Sequence, residues 1–561
     1  MSLIIKSGGR EVAARKTDEP LLAAIQAAGI PIEASCGGRG VCGRCSVFLE
    51  HGTYKIFDET VEVNSGERRE ELACVTRVAS ADARVAVPRQ TFAESAGARI
   101  ETEIVLPEFK SNPAVHRGEI VNGSAVKRAL GIAVDIGTST VVAALVDCET
   151  GNVIDRASRF NQQVLRADDV ASRIAQCGCA ENVRALQQLV IAHTINPLIE
   201  EICERNDLRP EEIFAAAIAG NTTMSHLFLG LSPFSIGTLP FTPVARKYPE
   251  IAAAKLGLRV HPAAPVFVVP CASGYVGGDI VADIHVTGLP AQSGLCLLAD
   301  IGTNGEMALA ENGKILACAT AAGPAFEGAG LLHGCRAISG AIEHIEFEKD
   351  LHFRCKVIGD SQPVGFCGSA AIDFIACGME SELINTMGRF DIDLLKSRGR
   401  YKHVRVRNGW SHGCCVVDGF ETSTGEPLVI TELDVSQILK AKAAIYAGLK
   451  TMMHLRGKHP RDLDRVILAG GFAKHIRLAN AIKIGLLPPV AMENFEIVGN
   501  GSLAGAVLAL ADTTSRDAYA QLIDAPEIVE LNLVPEFATF FADALALPYL
   551  EPEEFEDKVA T

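Results

Sequence analysis

Residues 130–140 read LGIAVDIGTST, and residues 295–305 read LCLLADIGTNG. Each is an apolar strand that runs into Asp-Ile-Gly-Thr and a small polar residue. Two copies, starting at residues 130 and 295, predict an internally duplicated core. Each strand ends on an acidic side chain and a tight glycine turn. Backbone N–H groups and hydroxyls of such a turn can hold a phosphate chain. That makes Gly137, Thr138, Gly302, Thr303 and Asn304 candidate phosphate contacts, with Glu306 supporting the second turn. Asp135 and Asp300 are the candidate catalytic carboxylates. They would face a Mg²⁺ shell, mostly through water, and one would align an attacking water. A third element, VILAGGFAKH at 466–475, is a strand that ends on two glycines before a helix. Gly470 and Gly471 there would let the adenosine part of a nucleotide approach the backbone. On residues alone, a pair of structural strand turns without a ligand stays open.

The N-terminal part carries a different chemistry. Residues 36–45 read CGGRGVCGRC, giving Cys36-x5-Cys42-x2-Cys45, with Cys74 as a distant fourth thiol. Plant-type [2Fe–2S] ferredoxins use C-x4-C-x2-C and a distant cysteine; the first interval here is one residue longer. Glycines 37, 38, 40 and 43 let backbone N–H groups turn toward sulfur. Zinc, the alternative, prefers paired C-x2-C knuckles, and this cluster has one such pair. The flanks predict a hairpin of 3–6 with 11–14 across Gly8-Gly9, a helix from Pro20 to Gly29, and strands at 46–50 and 84–87. The stretch LLAAIQAAGIPIEASCGGRGVCGRC, and ELACVTRV around Cys74, resemble β-grasp ferredoxins. The resemblance implies a low-potential one-electron carrier.

Composition bounds the rest. The 561 residues allow several domains, and 52 Lys+Arg against 68 Asp+Glu give a charge of −16. That disfavours a nucleic-acid partner, because phosphate binding wants basic surface. No apolar run is long enough for a membrane span, and the N-terminus lacks a secretory pattern; a cytoplasmic protein is expected. Most of the 17 cysteines read as buried thiols. Cys177-x-Cys179 and Cys414-Cys415 lack a second pair nearby. Segment 181–206 reads as an amphipathic helix packed on a sheet, with His193 structural. Residues 91–128 lose periodicity, with a short strand or helix near 101–109; a mobile arm and a packed extension are both open. The acidic run PEEFED at 552–557 reads as a solvated end or an interaction tail.

The two DIGT turns with AGGFA resemble the actin–hexokinase–Hsp70 ATPase superfamily. Joined to the ferredoxin segment, they resemble the reductive activators of corrinoid proteins. Further matching segments are AGNTTMSHLFLG (219–230), PCASGYVGGDI (270–280), AAGPAFEGAG (321–330) and LAGGFAKHI (468–476). One departure is Arg166-Ala167, where relatives carry a glycine. The resemblance implies a multidomain α+β and α/β chain. A β-grasp [2Fe–2S] domain would fill 1–93 and a linker 94–128. A duplicated, two-lobed actin-like ATPase with ribonuclease H-like lobes would fill 129–292 and 293–512, before a mostly helical tail at 513–561. It implies Cys36, Cys42, Cys45 and Cys74 as cluster ligands, and ATP with Mg²⁺ in the cleft. The implied activity is ATP-dependent reduction of a corrinoid protein's cobalt(II) to cobalt(I), the form needed for methyl transfer. Partners would be a corrinoid protein or cobalamin-dependent methyltransferase, of methionine synthase type among others, and an upstream low-potential donor. A homodimer is an expectation from the resemblance alone. Glu327 would lie near the corrinoid partner or the cleft, or in a plain structural turn. The alternatives are an ATPase-gated donor to another low-potential acceptor, and a nucleotide-dependent binding protein with a passive ferredoxin domain.

Overall fold

Side-chain alternation along the two DIGT strands sets the architecture. In Leu130–Ile136 the large aliphatics Leu130, Ile132, Val134 and Ile136 share one face, leaving Gly131, Ala133 and Asp135 on the other. Strand Leu295–Ile301 repeats this, with Leu295, Leu297 and Ile301 on one face and Cys296, Leu298 and Asp300 opposite. The computed structural model describes residues 2–548 apart from 8–9, 16–17, 29, 31, 33–44, 58, 88–102, 168, 360, 407–408 and 424.

Each DIGT strand is central to a six-stranded sheet. Leu130–Ile136 pairs antiparallel with Thr140–Asp147 and parallel with Ala215–Gly220. Leu295–Ile301 pairs antiparallel with Gly305–Glu311 and parallel with Arg465–Ala469. The connectivity around the two strands is therefore the same. The aliphatic face of the first sheet packs on helices Ala180–Val190 and Asn196–Arg205. That of the second packs on Gly368–Glu380 and Glu432–Leu455. The small-residue faces look at each other across two inner helices, Gly278–Val286 and Gly501–Ala511, which share one core with both sheets. A Cβ on Gly505 would sit 2.4 Å from the Ala282 methyl, so small residues allow these helices to cross closely.

The N-terminal sheet is separate. Strand Ser2–Ser7 pairs antiparallel with Arg10–Arg15 and parallel with Asp82–Val87, and Ser46–Ile56 lies beyond. Helix Leu21–Ala27 closes a core of Leu3, Ile5, Ile25, Val47, Leu49 and Val85.

Several segments refine or correct their sequence reading. Of the two readings left open for the linker, the described residues 103–128 take the packed extension. Val115 and Val126 join the inter-sheet core, the Asn112 and Ala114 N–H groups donate to the Ala511 and Leu510 carbonyls, and in the described part of the 101–109 element, from Glu103 on, one bridge forms, Ile104 with Gly499. Helix Gly501–Ala511, read as the end of the second lobe, lies between the sheets. The tail is not simply helical, because Pro526–Ile528 adds a parallel edge strand to Lys314–Thr320. Segment 181–206 is helical, with a π turn at Ile191–Ile195 that contains the exposed His193. The PEEFED run lies outside the described residues. No helix among the described residues is long and apolar enough to cross a membrane.

Candidate active site

The parity that turns Leu and Ile outward sends Asp135 and Asp300 into the layer between the sheets. In parallel register Asp135 lies beside Ala219 and Asp300 beside Ala469, and each partner strand then turns at a glycine. Gly470 has φ 86, and a Cβ there would lie 2.3 Å from an Asp300 carboxylate oxygen. Only glycine leaves Asp300 its place. Asp135 accepts hydrogen bonds from Asn500 Nδ2 and Ser502 Oγ, both at 2.8 Å. Asn500 also caps the 501–511 helix, its side-chain oxygen accepting the Leu503 N–H at 2.7 Å.

The two turns meet. Ser139 Oγ lies 3.3 Å from Thr303 Oγ1, and the Thr303 hydroxyl donates to Glu327. Thr138 Oγ1 accepts from Asn221 Nδ2 at 3.1 Å. The fully buried Arg173 pins the first turn from behind, donating to the Thr138 carbonyl at 2.6 Å and to the Ala167 carbonyl at 2.9 Å. All ten predicted residues of the DIGT and AGGF elements line one cavity of about 270 Å³. Its far end carries Phe472, His475, Gly368 and Ser369. Phe472 stacks on Phe326 at 5.1 Å between ring centroids.

The inner helices supply what the motifs did not show. Asp279 and Asp283 sit one turn apart on the 278–286 helix, and Asp279 lines the cavity. With Asp135, Asp300 and Glu306 they form an acidic group, in which Asp283 and Glu306 are buried and the other three half-buried. Burial pushes Asp135 up; burial with neighbouring carboxylates pushes Asp279 and Asp300 up to about 7, and Asp283 and Glu306 further in the same direction. Neither Asp283 carboxyl oxygen has a hydrogen-bond partner among the described residues. Such a set calls for positive charge. No three acidic, histidine or cysteine side chains among the described residues converge tightly enough to hold a metal alone. Mg²⁺ held by one or two carboxylates plus substrate phosphates needs no such cluster. Sequence reading missed Asp279, Asp283, Asn500, Ser502, Asn221 and Arg173. The available signals were the GGD at 277–279 and the G-N-G-S before an apolar helix at 499–502.

In the N-terminal domain, Cys45 and Cys74 are both buried. Ser46 pairs with Leu72, and the Ala73 N–H donates to the Cys45 carbonyl at 2.8 Å, which brings the two cysteine segments together. Cys36 and Cys42 lie outside the described residues.

Three family models tile the chain: a 2Fe–2S iron–sulfur cluster binding domain over 4–79, the RACo middle region over 130–292, and the C-terminal ASKHA domain of RACo over 294–558. A solved structure titled reductive activator for corrinoid, iron–sulfur protein superposes with a TM-score of 0.73 at 29% identity, covering 99% of this chain and 100% of that one. The chain belongs to the reductive activators of corrinoid proteins. Among curated relatives of this activator family, the corrinoid activation enzyme RamQ of Eubacterium limosum is 35% identical over 387 residues, 68% of this chain. The aligned part spans 64% of that relative's length. A [Co(II) methylated amine-specific corrinoid protein] reductase of Methanosarcina barkeri is 26% identical, over 67% of this chain and 68% of its own. The thiol chemistry of the activator's first domain fits a [2Fe–2S] cluster. Buried Cys45 immediately precedes strand Ser46–Ile56, and buried Cys74 follows its partner strand Arg69–Leu72.

Proposed function

We propose that this chain uses Mg-ATP to drive one-electron reduction of a corrinoid protein's cobalt(II) to cobalt(I). The observation that carries the reading is one polypeptide holding both an acid-lined cleft between duplicated sheets and a cysteine-bearing ferredoxin domain. The names of its relatives supply the acceptor class. Cobalt(II) is the product of stray one-electron oxidation, and cobalt(I) is the nucleophile for methyl transfer. The reduction is uphill for ordinary donors, each 59 mV of adverse potential costing about tenfold in equilibrium. When bound through Cys36, Cys42, Cys45 and Cys74, the cluster supplies a low-potential one-electron carrier. ATP contributes by favouring one arrangement of the lobes over another. Asp135 and Asp300 would hold Mg²⁺, mostly through water, and Asp279, which lines the same cavity, would take a proton from an attacking water. The 137–140 and 302–304 turns hold the phosphates, and Gly470 and Gly471 border the adenosine. Partners are a corrinoid protein or cobalamin-dependent methyltransferase, of methionine synthase type among them, and an upstream low-potential donor. A homodimer through the ATPase region is part of the same reading.

The test is anaerobic absorbance of the cobalt(II) protein with reductant and enzyme, with and without Mg-ATP. Asp300→Asn should abolish the ATP-dependent appearance of cobalt(I) while the corrinoid protein still binds. Reduction that is unchanged by ATP, or by the substitution, would support a passive ferredoxin domain instead.

A further inference from the structure

The cleft has an imbalance of charge that the motifs do not resolve. Six carboxylates line it: Asp135, Asp279, Asp300, Glu306, Glu327 and Glu343. A nucleoside triphosphate adds a further polyanion. Glu343 is already paired with Lys356 at 2.9 Å and approached by His475 at 3.1 Å; toward the other five stands Arg336, the sole arginine or lysine among the described lining residues. Among the described residues its guanidinium makes no ion pair with a carboxylate. It lies 4.2 Å over the ring of Phe160, which also lines the cavity. Phe160 ends a strand of the first sheet, whereas Arg336 belongs to the second lobe, so the contact spans the cleft.

The backbone carrying Arg336 is fixed. The Cys335 N–H donates to the Phe366 carbonyl at 2.9 Å, and the Phe366 N–H to the His333 carbonyl at 2.8 Å. The Leu332 N–H is held by Asp434 at 2.7 Å. A Cβ on Gly334 would sit 1.9 Å from the Gly328 carbonyl oxygen, so the loop doubles back tightly just after Glu327. The same loop therefore presents Glu327 to the Thr303 hydroxyl and Arg336 to the opposite wall. Movement is left to the arginine side chain, whose long stem can swing without unfolding the loop.

We propose that Arg336 is an arginine supplied in cis to the terminal phosphate of the nucleotide, parked on Phe160 until a triphosphate enters. An aromatic face is a weak seat for a guanidinium, and a phosphate oxygen pair is a strong one. In hydrolysis, water oxygen bonds to the γ-phosphorus as the β–γ bridging bond breaks. The displaced electron pair stays on the diphosphate, and the water's proton leaves to a cleft carboxylate. Arg336 neutralises charge on the phosphoryl oxygens throughout. The inference rests on the proposed Mg-ATP site.

The experiment compares Mg-AMPPNP and Mg-ADP affinity by calorimetry, and ATP turnover, in the full-length protein and in Arg336→Ala, Arg336→Lys and Phe160→Leu. Arg336→Ala should lose triphosphate affinity and about 10³-fold in turnover, with Mg-ADP affinity unchanged; Arg336→Lys should recover part of both. Phe160→Leu should tighten Mg-AMPPNP by about two- to fivefold, since the seat that competes is removed. A merely structural tie between lobes would make Arg336→Ala and Phe160→Leu move together, and that result overturns the inference. So does unchanged AMPPNP binding in Arg336→Ala. If the unaltered protein binds neither nucleotide, the Mg-ATP reading itself fails and takes the inference with it.

Discussion

Asp279 and Asp300 sit half-buried among like charges, and both carboxyls are pushed up to about 7 from an ordinary 3.8. Burial is the larger cause in each, and the neighbouring Asp135 charge adds to it. The folded chain thus holds protons that the unfolded chain releases near pH 4. The stability gained is fully present below the unfolded value and is lost as pH rises through about 7. In chelator, the thermal midpoint should therefore fall from about pH 5.5 to about pH 8, a window above the titration of carboxylates held low by arginine or lysine, such as Glu50 and Asp155. Mg-ATP should flatten the fall, because a bound cation favours the ionised forms. Asp300→Asn should reduce the slope in chelator. A thermal-shift series over pH, with and without Mg-ATP, checks this, and a flat chelator series would contradict it. At this scale the sequence was legible where a residue belongs to a strand-turn motif. Asp135 and Asp300 end apolar strands, and each is followed by Gly-Thr. Asp279 and Asp283 were not legible, because their role depends on which face of a buried helix meets the sheets, and a helix apolar nearly all round has no distinctive period.

The 501–511 helix shows how one element does two tasks. Asn500 caps it and at the same time steadies Asp135. Asn500→Ala removes both, at about 1 kcal/mol for the cap and about 1.5–3 kcal/mol for a hydrogen bond to a buried carboxylate. Asn500→Asp keeps the cap but sets a second carboxylate against Asp135. Urea unfolding should show Asn500→Ala less stable by about 2–4 kcal/mol. Mg-nucleotide titration should show Asn500→Asp binding more weakly than its stability loss explains. Equal behaviour of the two variants would separate the cap from the site. The segment was placed only within the second lobe, and its seat between the lobes was not legible, since nothing local says which sheet an apolar helix covers. The edge strand Pro526–Ile528 was missed for a related reason. Three residues have too little alternation to announce a strand, and pairing with Lys314–Thr320 alone makes it one.

Across the whole molecule, the thiol-bearing domain and the cleft rest on separate hydrophobic cores. Leu3, Ile25, Val47 and Val85 pack around Cys45 and Cys74 in one. The inner helices and the two six-stranded sheets form another. Changes in regions without shared packing add nearly independently. Cys74→Ser should therefore abolish visible absorbance of the iron–sulfur chromophore and all cobalt(I) formation, yet leave Mg-AMPPNP affinity within about twofold, which is the spread expected for uncoupled sites. Asp300→Asn should give the converse, with the chromophore intact and nucleotide response lost. The pair of variants distinguishes a relay, in which each part is necessary and neither supports the other's folding, from a single cooperative unit. Loss of nucleotide affinity in Cys74→Ser, measured by the same calorimetry, would mean that ligation of the first domain reaches the cleft. The packed segment 103–128 would then be the path to examine, because its Asn112 and Ala114 N–H groups donate to the Ala511 and Leu510 carbonyls at the end of the inner helix.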